Sequence, residues 1–414
     1  MPRCCVTGTV LAAWGIAMAA TAQDYVTCTS FAQVMAAETQ VNVTRISDPE
    51  GQYTGFFFYQ CLQFDPTDRY VLGMRVYIQN REVRPTDRAD IGLIDLQDGC
   101  KWTKIGETTA WNWQQGARAQ WRPASNEVVW NDRADDKSHY VCRVYDYKTG
   151  ARRVLPRPIY ALSPDGTTAL THDFERMKHG GTDYVGIADK YAAQFAPAGT
   201  GIWKMDMASG ESQLLLSLAR MAEIAYPTER PAAGCLYFFR EGWNPSGTRF
   251  MAFVKEPKSG LDKAFTMTPA GADIRFFYNA PSHHCWRDDA HVLEGRNYQL
   301  YADDGTGKPE KRLCDAPHNG HVSDLPAPGG PWLLSDTYVI GGCQYLFLFH
   351  VPSKLYVPLA KLRSTAQGGI HRVDLHPRSS RNGRLVCIDA THEGRGRQMY
   401  LLDIGPILDR PPGR

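Results

Sequence analysis

The sequence has no CxxC pair, no GxSxG elbow, no HExxH helix and no glycine-rich loop of the kind that cradles phosphate. Those absences exclude the thiol redox motif, the elbow-type serine hydrolase, the two-histidine metalloprotease and the P-loop enzyme. Thr391-His392-Glu393-Gly394 comes nearest to the metalloprotease helix and lacks its second histidine. Neither sign of charge dominates: the 414 residues carry a net +2, so a strongly basic nucleic-acid surface is not indicated. Long amphipathic helical patterns are scarce, no later apolar run is long enough to span a bilayer, and no histidine precedes His139.

The first residues read as an export signal. Arg3 supplies the positive start, Val10 to Ala20 a short apolar run, and Ala20-Thr21-Ala22 a small-residue cleavage site. Residues 1–22 are therefore expected to be removed, leaving a periplasmic or secreted chain that begins near Gln23. Nine cysteines would remain, widely spaced from Cys28 to Cys387. Several sit in apolar runs such as Val386-Cys387-Ile388 and are expected to pack as small hydrophobes, with one or two disulfides in an oxidising compartment.

Short β-rich runs separated by Gly, Pro and Asp turns dominate the remainder, which predicts an all-β chain. Tight turns follow a first β-run at Asp68, Ser125, Gly166, Gly247, Asp289, Gly330 and Gly383, and the shortest spacing, near 41 residues, is that of one four-stranded propeller blade. A second marker, an acidic or polar turn such as Asp95 to Gly99 or Asp146 to Gly150, closes six of these units, and the seventh stops at Leu402-Asp403-Ile404. The pattern predicts a single seven-bladed β-propeller of four-stranded antiparallel blades over 23–408, with a frayed tail at 409–414. The early end of the seventh unit predicts that the run near Val41 to Ile46 supplies its missing strand. Between the third and fourth turns lies an excursion, Met177 to Gly201, followed by the best helical window, Leu214 to Ile224.

In a propeller the first strand of each blade lines the channel, so the polar residues at matching ends of the hairpins converge. Counting back from the turns lands on Tyr160, Glu241, His283, His321 and His376; counting forward lands on Arg133, Arg176, Tyr338 and His392. The hairpin Ile159 to Arg176 offers a phenol and a guanidinium together. A guanidinium fork suits a carboxylate, and a phenol beside a cation has a lowered pKa, so Tyr160 and Arg176 are the candidate catalytic pair with Arg133 and Glu241 as substrate contacts. His321, His376 and His392 form the best metal constellation, with His284, Asp374 and Asp389 nearby in the pattern, suited to zinc or manganese. Trp111, Trp113 and Trp121 are expected to pack between blades rather than stack on sugars.

The SPDG turn at 163–166 and its later acidic partner resemble the TolB-type propeller repeat. Tyr160 with Asp173-Phe174-Glu175-Arg176, and Val373-Asp374-Leu375-His376-Pro377-Arg378 with Asp389-Ala390-Thr391-His392, resemble the propeller polysaccharide lyases, the group of oligogalacturonate and ulvan lyases. The resemblance implies β-elimination on uronic-acid sugars, with Tyr160 in proton transfer and Arg176 on the carboxylate. The ulvan lyases also place catalytic histidines before the tyrosine. Here the corresponding region reads Trp111-Asn112-Trp113-Gln114-Gln115-Gly116, and Gln114 and Gln115 become the candidate substrate contacts. The oligogalacturonate lyases hold a metal through one Gln and three His, to which Gln367, His371 and His376 are similar. The expected partner is an acidic polysaccharide or oligosaccharide, with one divalent metal, no nucleic acid, no membrane span and a monomeric chain. A non-catalytic TolB-like propeller binding a glycan or protein is the rival expectation.

Overall fold

The computed structural model describes residues 25–48, 50, 52–177, 181–228, 234–256, 260–317 and 319–412. The export signal expected over 1–22 lies outside the described residues. Strands assemble into seven four-stranded antiparallel sheets, each taken from consecutive chain except the last. Blade one is Tyr53–Gly55, Tyr70–Val76, Ala89–Asp95 and Lys101–Thr108. Blade seven is Arg378–Ser379, Leu385–Ala390 and Gln398–Asp403, completed by Thr44–Arg45, with Thr44 opposite Leu401 and Arg45 opposite Tyr400. All seven expected first turns fall between the innermost and second strands of a blade, and the N-terminal strand closes the ring as the spacing required.

The turns form for local reasons. In Ser163-Pro164-Asp165-Gly166 the Ser163 hydroxyl donates to Asp165 Oδ1 at 2.5 Å and accepts from the Thr168 N–H at 3.0 Å. Gly166 has φ +72, and a Cβ there would stand 2.3 Å from the Pro123 carbonyl oxygen of the neighbouring blade. Apolar faces of adjacent blades then interlock. Leu346, Leu348, Val357 and Leu359 of blade six share one cluster with Val386, Ile388 and Tyr400 of blade seven. Trp111, Trp113 and Trp121 are buried, and their indole N–H groups donate to the carbonyls of Asp87, Arg81 and Gln63, as packing residues would. No disulfide links the nine cysteines among the described residues, so the expected bridges are not formed.

Two departures shape the channel. Blade one's innermost strand stops at Gly55, and the next residues, Phe56-Phe57-Phe58-Tyr59-Gln60-Cys61, leave the sheet and enter the ring. Phe57 has φ +70, and the Asp389 carboxylate of blade seven accepts the Phe56 and Phe57 N–H groups at 3.1 and 3.0 Å while pairing with Arg397 at 2.9 Å. Tyr59 is 2% exposed and closes the axis. The second departure is the blade-three excursion from His172 to Thr200, followed by the helix Leu218–Ala225. That helix is shorter than the sequence window because Leu214 to Ser217 pair with Gly201 to Trp203 as a strand, a tertiary contact that outweighs helical propensity. Ser217 caps it, accepting from the Arg220 N–H at 3.1 Å. At the other end of the chain Asp409 is held by Arg384 through two contacts of 2.8 Å, so order extends into the segment expected to fray. Among the described residues no helix is long and apolar enough to cross a membrane.

Candidate metal centre and channel groove

The starts of the innermost strands of blades four to seven meet at one mouth, above Phe58. A narrow cavity there is lined by Phe58, Gln114, Gln115, Thr182, Arg240, His283, His321, Arg372 and His376. It opens beside a groove of about 540 Å³ that includes Arg240, His283, Arg296, Tyr338 and Arg372. Five of the residues expected from sequence, Gln114, Gln115, His283, His321 and His376, are thus brought together.

His321, His376 and Asp374 each offer a ligand atom within 4.8 Å of the others, and all three side chains are buried. The Asp336 carboxylate fixes His321. Its oxygens lie 2.9 and 3.0 Å from Nδ1, which donates to them, while Oδ1 also accepts the His321 backbone N–H at 2.8 Å. Nε2 is then the ring's lone-pair nitrogen, and it is buried with no partner. His376 Nδ1 is likewise buried and unpartnered, and its Nε2 lies 3.9 Å from Asp374 Oδ2. Burial, with His321 and the nearby arginines Arg397, Arg372 and Arg240, holds His376 well below the usual imidazole range. Two orphaned imidazole nitrogens, a carboxylate and an orienting outer carboxylate are a donor set that fits one divalent cation, zinc or manganese.

His392 does not join this group. It is half-buried with its ring 4.4 Å from that of Tyr400, and Asp374 takes the place expected for it. Nor do the other residues of the resemblance: His371 packs against Trp113 at 5.8 Å, and Gln367 is exposed. Asp389 is engaged in holding the segment that enters the channel.

Around the cluster stand three groups with clear chemistry. His283 Nδ1 donates to the Asn319 carbonyl at 3.1 Å, which leaves Nε2 as its acceptor nitrogen, and burial followed by His321 and Arg240 lowers its pKa well below the ordinary value. Its ring is 4.0 Å from that of His321. Tyr338 lies 5.8 Å from the His321 ring and 6.0 Å from that of His283. Arg240 makes no ion pair or hydrogen bond among the described residues, and its Nε and Nη1 are buried without partners. Its guanidinium lies over the rings of Phe58 and Phe239 at 5.6 and 5.2 Å, with no carboxylate to balance it among the described residues.

The pair expected to carry catalysis is differently placed. Arg176 is 1% exposed, and its donors reach the carbonyls of Leu236, Tyr191, Gln194 and Phe195 and the Asp189 carboxylate, at 2.6 to 3.0 Å. Its fork holds the blade-three excursion and has no donor left for a substrate carboxylate. Tyr160 is fully buried beneath Gln115, and its hydroxyl completes no hydrogen bond of normal geometry. Burial pushes the phenol up to about 12, and the cation that opposes this most is Arg118, whose guanidinium lies 4.0 Å above the Tyr160 ring. The expectation that Arg176 lowers the Tyr160 pKa is corrected on both counts. Arg133 is also internal, donating to Thr109 Oγ1 at 2.9 Å and to the Pro85 carbonyl. Glu241 is buried with Oε1 on His172 Nδ1 at 2.7 Å, and it lines the cavity at the opposite mouth. Gln114 donates to the Ile370 carbonyl at 2.7 Å, whereas both side-chain polar atoms of Gln115 are unpartnered.

No protein-family model matches the chain, and no curated protein matches it. Solved structures do. An oligogalacturonate lyase in complex with manganese aligns over 92% of this chain and 96% of that chain, with 14% identity and a TM-score of 0.64. The chain shares the fold of that lyase. A second oligogalacturonate lyase, from Vibrio parahaemolyticus, aligns over 92% of this chain and 96% of that chain with 12% identity and a TM-score of 0.60. TolB from Acinetobacter baumannii aligns over 65% of this chain and 59% of that chain, with 13% identity and a TM-score of 0.36.

Arg240 and Arg372 were not legible as site residues. Counting along the blade-four strand lands on Glu241, but a bulge shifts the register between Phe239 and Gly242, and Arg240 has φ +55. The alternation is broken there, and the guanidinium turns into the channel.

Proposed function

We propose that the chain is a metal-dependent lyase that cleaves uronic-acid oligosaccharides by β-elimination. The observation that carries this reading is the pair of buried, unpartnered nitrogens of His321 and His376 beside Asp374, in the same cavity as the uncompensated Arg240. The proton next to a uronate carboxylate is weakly acidic, so its removal needs positive charge on that carboxylate and a base within reach. Arg240 meets the first need; Arg372 beside it is engaged, its Nε donating to Asp374 Oδ2 at 2.9 Å. His283 meets the second: its Nδ1–H is held by a carbonyl and its lone pair at Nε2 is free to take the proton. Tyr338, on the groove side of the same histidines, is placed to donate to the departing glycosidic oxygen. A divalent cation held by His321, His376 and Asp374 would supply further charge for the carboxylate. The fold it shares with a manganese-bound oligogalacturonate lyase supports the same metal and the same substrate class.

The test is direct. The protein is incubated with oligogalacturonate and ulvan fragments, with manganese, zinc or a chelator, and absorbance of the unsaturated uronate product is followed. The expected result is metal-dependent product formation that is lost in Arg240→Ala. No product from any uronate substrate in a sample shown to hold its metal would overturn it. A second reading, a glycan binder without turnover, is favoured by the internal engagement of Arg176 and the burial of Tyr160; it predicts saturable binding of the same oligosaccharides with no product.

A further inference from the structure

The opposite mouth holds a cavity of about 470 Å³, at the ends rather than the starts of the innermost strands. Tyr59 separates the two. Its ring lies against His283, His321 and His376 at 5.2 to 6.3 Å, while its hydroxyl donates to the His284 carbonyl at 3.0 Å and accepts the His284 N–H at 3.1 Å. On the far side Arg378 lines the cavity with neither ion pair nor hydrogen bond among the described residues. Its guanidinium is half-buried, and no carboxylate pairs with it among the described residues. Arg118, 2% exposed, adds an unpartnered Nη1 to the same wall. Trp243 Nε1, Ser323 Oγ and both ring nitrogens of His284 are buried there without partners. Trp243 and Trp286 give it aromatic walls.

Of the acids lining it, Asp324 is paired with Arg287 at 2.8 Å, and Glu241 has one oxygen on His172 and the other unpartnered, its charge acting on Arg118, so Arg378 is the lining charge that no carboxylate answers. A buried cation without a counter-charge is costly, and orphaned donors beside it need acceptors. Aromatic faces next to hydroxyl-matching donors suit a sugar ring, and the volume suits one or two rings. We propose that this cavity is a second ligand site that binds a small carboxylate-bearing sugar, a free uronic acid, through Arg378 and Arg118 with the ring against Trp243. The site is built from residues outside the histidine groove and does not depend on that groove being catalytic.

The probes are D-galacturonate and uncharged D-galactose, titrated into the full chain by calorimetry and by tryptophan fluorescence. Saturable galacturonate binding is expected, at least tenfold tighter than galactose. Arg378→Ala should weaken it tenfold or more, and Trp243→Phe, which keeps an aromatic ring but removes the N–H, severalfold. His321→Ala should leave it unchanged. Because Arg378 makes no ion pair or hydrogen bond among the described residues, its replacement is expected to keep the unfolding temperature, and Trp243→Phe tests the site independently. Absence of saturable galacturonate binding, equal binding of galactose, or a loss in His321→Ala without one in Arg378→Ala would overturn the proposal.

Discussion

The two mouths of the ring are built from the same seven strands and differ in what each strand offers at its beginning and at its end. At the starts, His321 and His376 cluster with Asp374 and are held from behind by Asp336, with His283 beside them on the Asn319 carbonyl. At the ends, cations and indoles line a wider cavity in which Arg378 has no counter-ion. One mouth gathers imidazole lone pairs beside Arg240 and Arg372, and the other gathers unpartnered donors around Arg378. The segment that enters from blade one keeps them apart, since the Tyr59 ring is packed on the histidines while its hydroxyl is tied to His284. A propeller can thus carry two chemistries on one axis when something stops the axis.

The largest expected effect breaks one mouth and spares the other. On the proposed reading, His321→Ala should abolish metal binding and lower turnover of uronate oligosaccharides by about 100- to 1,000-fold, measured by product absorbance and metal analysis, while galacturonate binding at the far cavity persists. Arg176→Ala should cost about 3–5 kcal/mol of stability, because it leaves Asp189 buried without its partner. Denaturant unfolding would show this, and the metal content of the folded fraction should be unchanged; turnover that vanishes in a fully stable Arg176→Ala protein would return that residue to the site. Asp336→Asn should weaken metal affinity about 10- to 100-fold, because it no longer fixes the His321 tautomer.

The far mouth should show itself in acid. Burial, with Arg240, holds His284 at about 3, below its ordinary 6.5. The unfolded chain therefore binds the proton first, so this contribution to stability is present above pH 6.5 and is lost as pH falls toward 3. His284→Gln should flatten the stability profile over that window, as followed by urea midpoints. The smallest effect is expected from Tyr160→Phe, which removes a buried hydroxyl that completes no normal hydrogen bond: turnover within about twofold and stability within about 1 kcal/mol. A complete loss of turnover there would place Tyr160 in the chemistry after all.

The blade count was readable because each blade announces itself locally, through an Asx, Ser or Gly turn such as Ser163 to Gly166, and because the missing strand of blade seven had one place to come from. His321 and His376 were readable as the same count applied to polar residues at strand starts. The third ligand was not, since ligands from separate blades have no shared spacing, and Asp374 stood two residues from His376 while His392 matched the count. Arg240 was hidden by a bulge that undoes the period of two. Arg176 looked available because four of its partners lie 13 to 19 residues further on, in an excursion without a repeating pattern, and the fifth, Leu236, lies 60 residues on. Phe56 to Tyr59 are a run of aromatic residues, and nothing in their composition signals that they leave the sheet.

The clasp between Thr44–Arg45 and Gln398–Asp403 has a kinetic consequence. Its two halves come from opposite ends of the chain, so the loop it closes is nearly the whole protein and its contacts are among the most distant in sequence. During synthesis the first strand must wait, without its neighbour, until the last blade emerges. Asp389, which steadies the segment closing the axis, belongs to that same late blade. A nascent chain that is stopped before it would be an open arc, with the barrier between its two mouths not yet anchored.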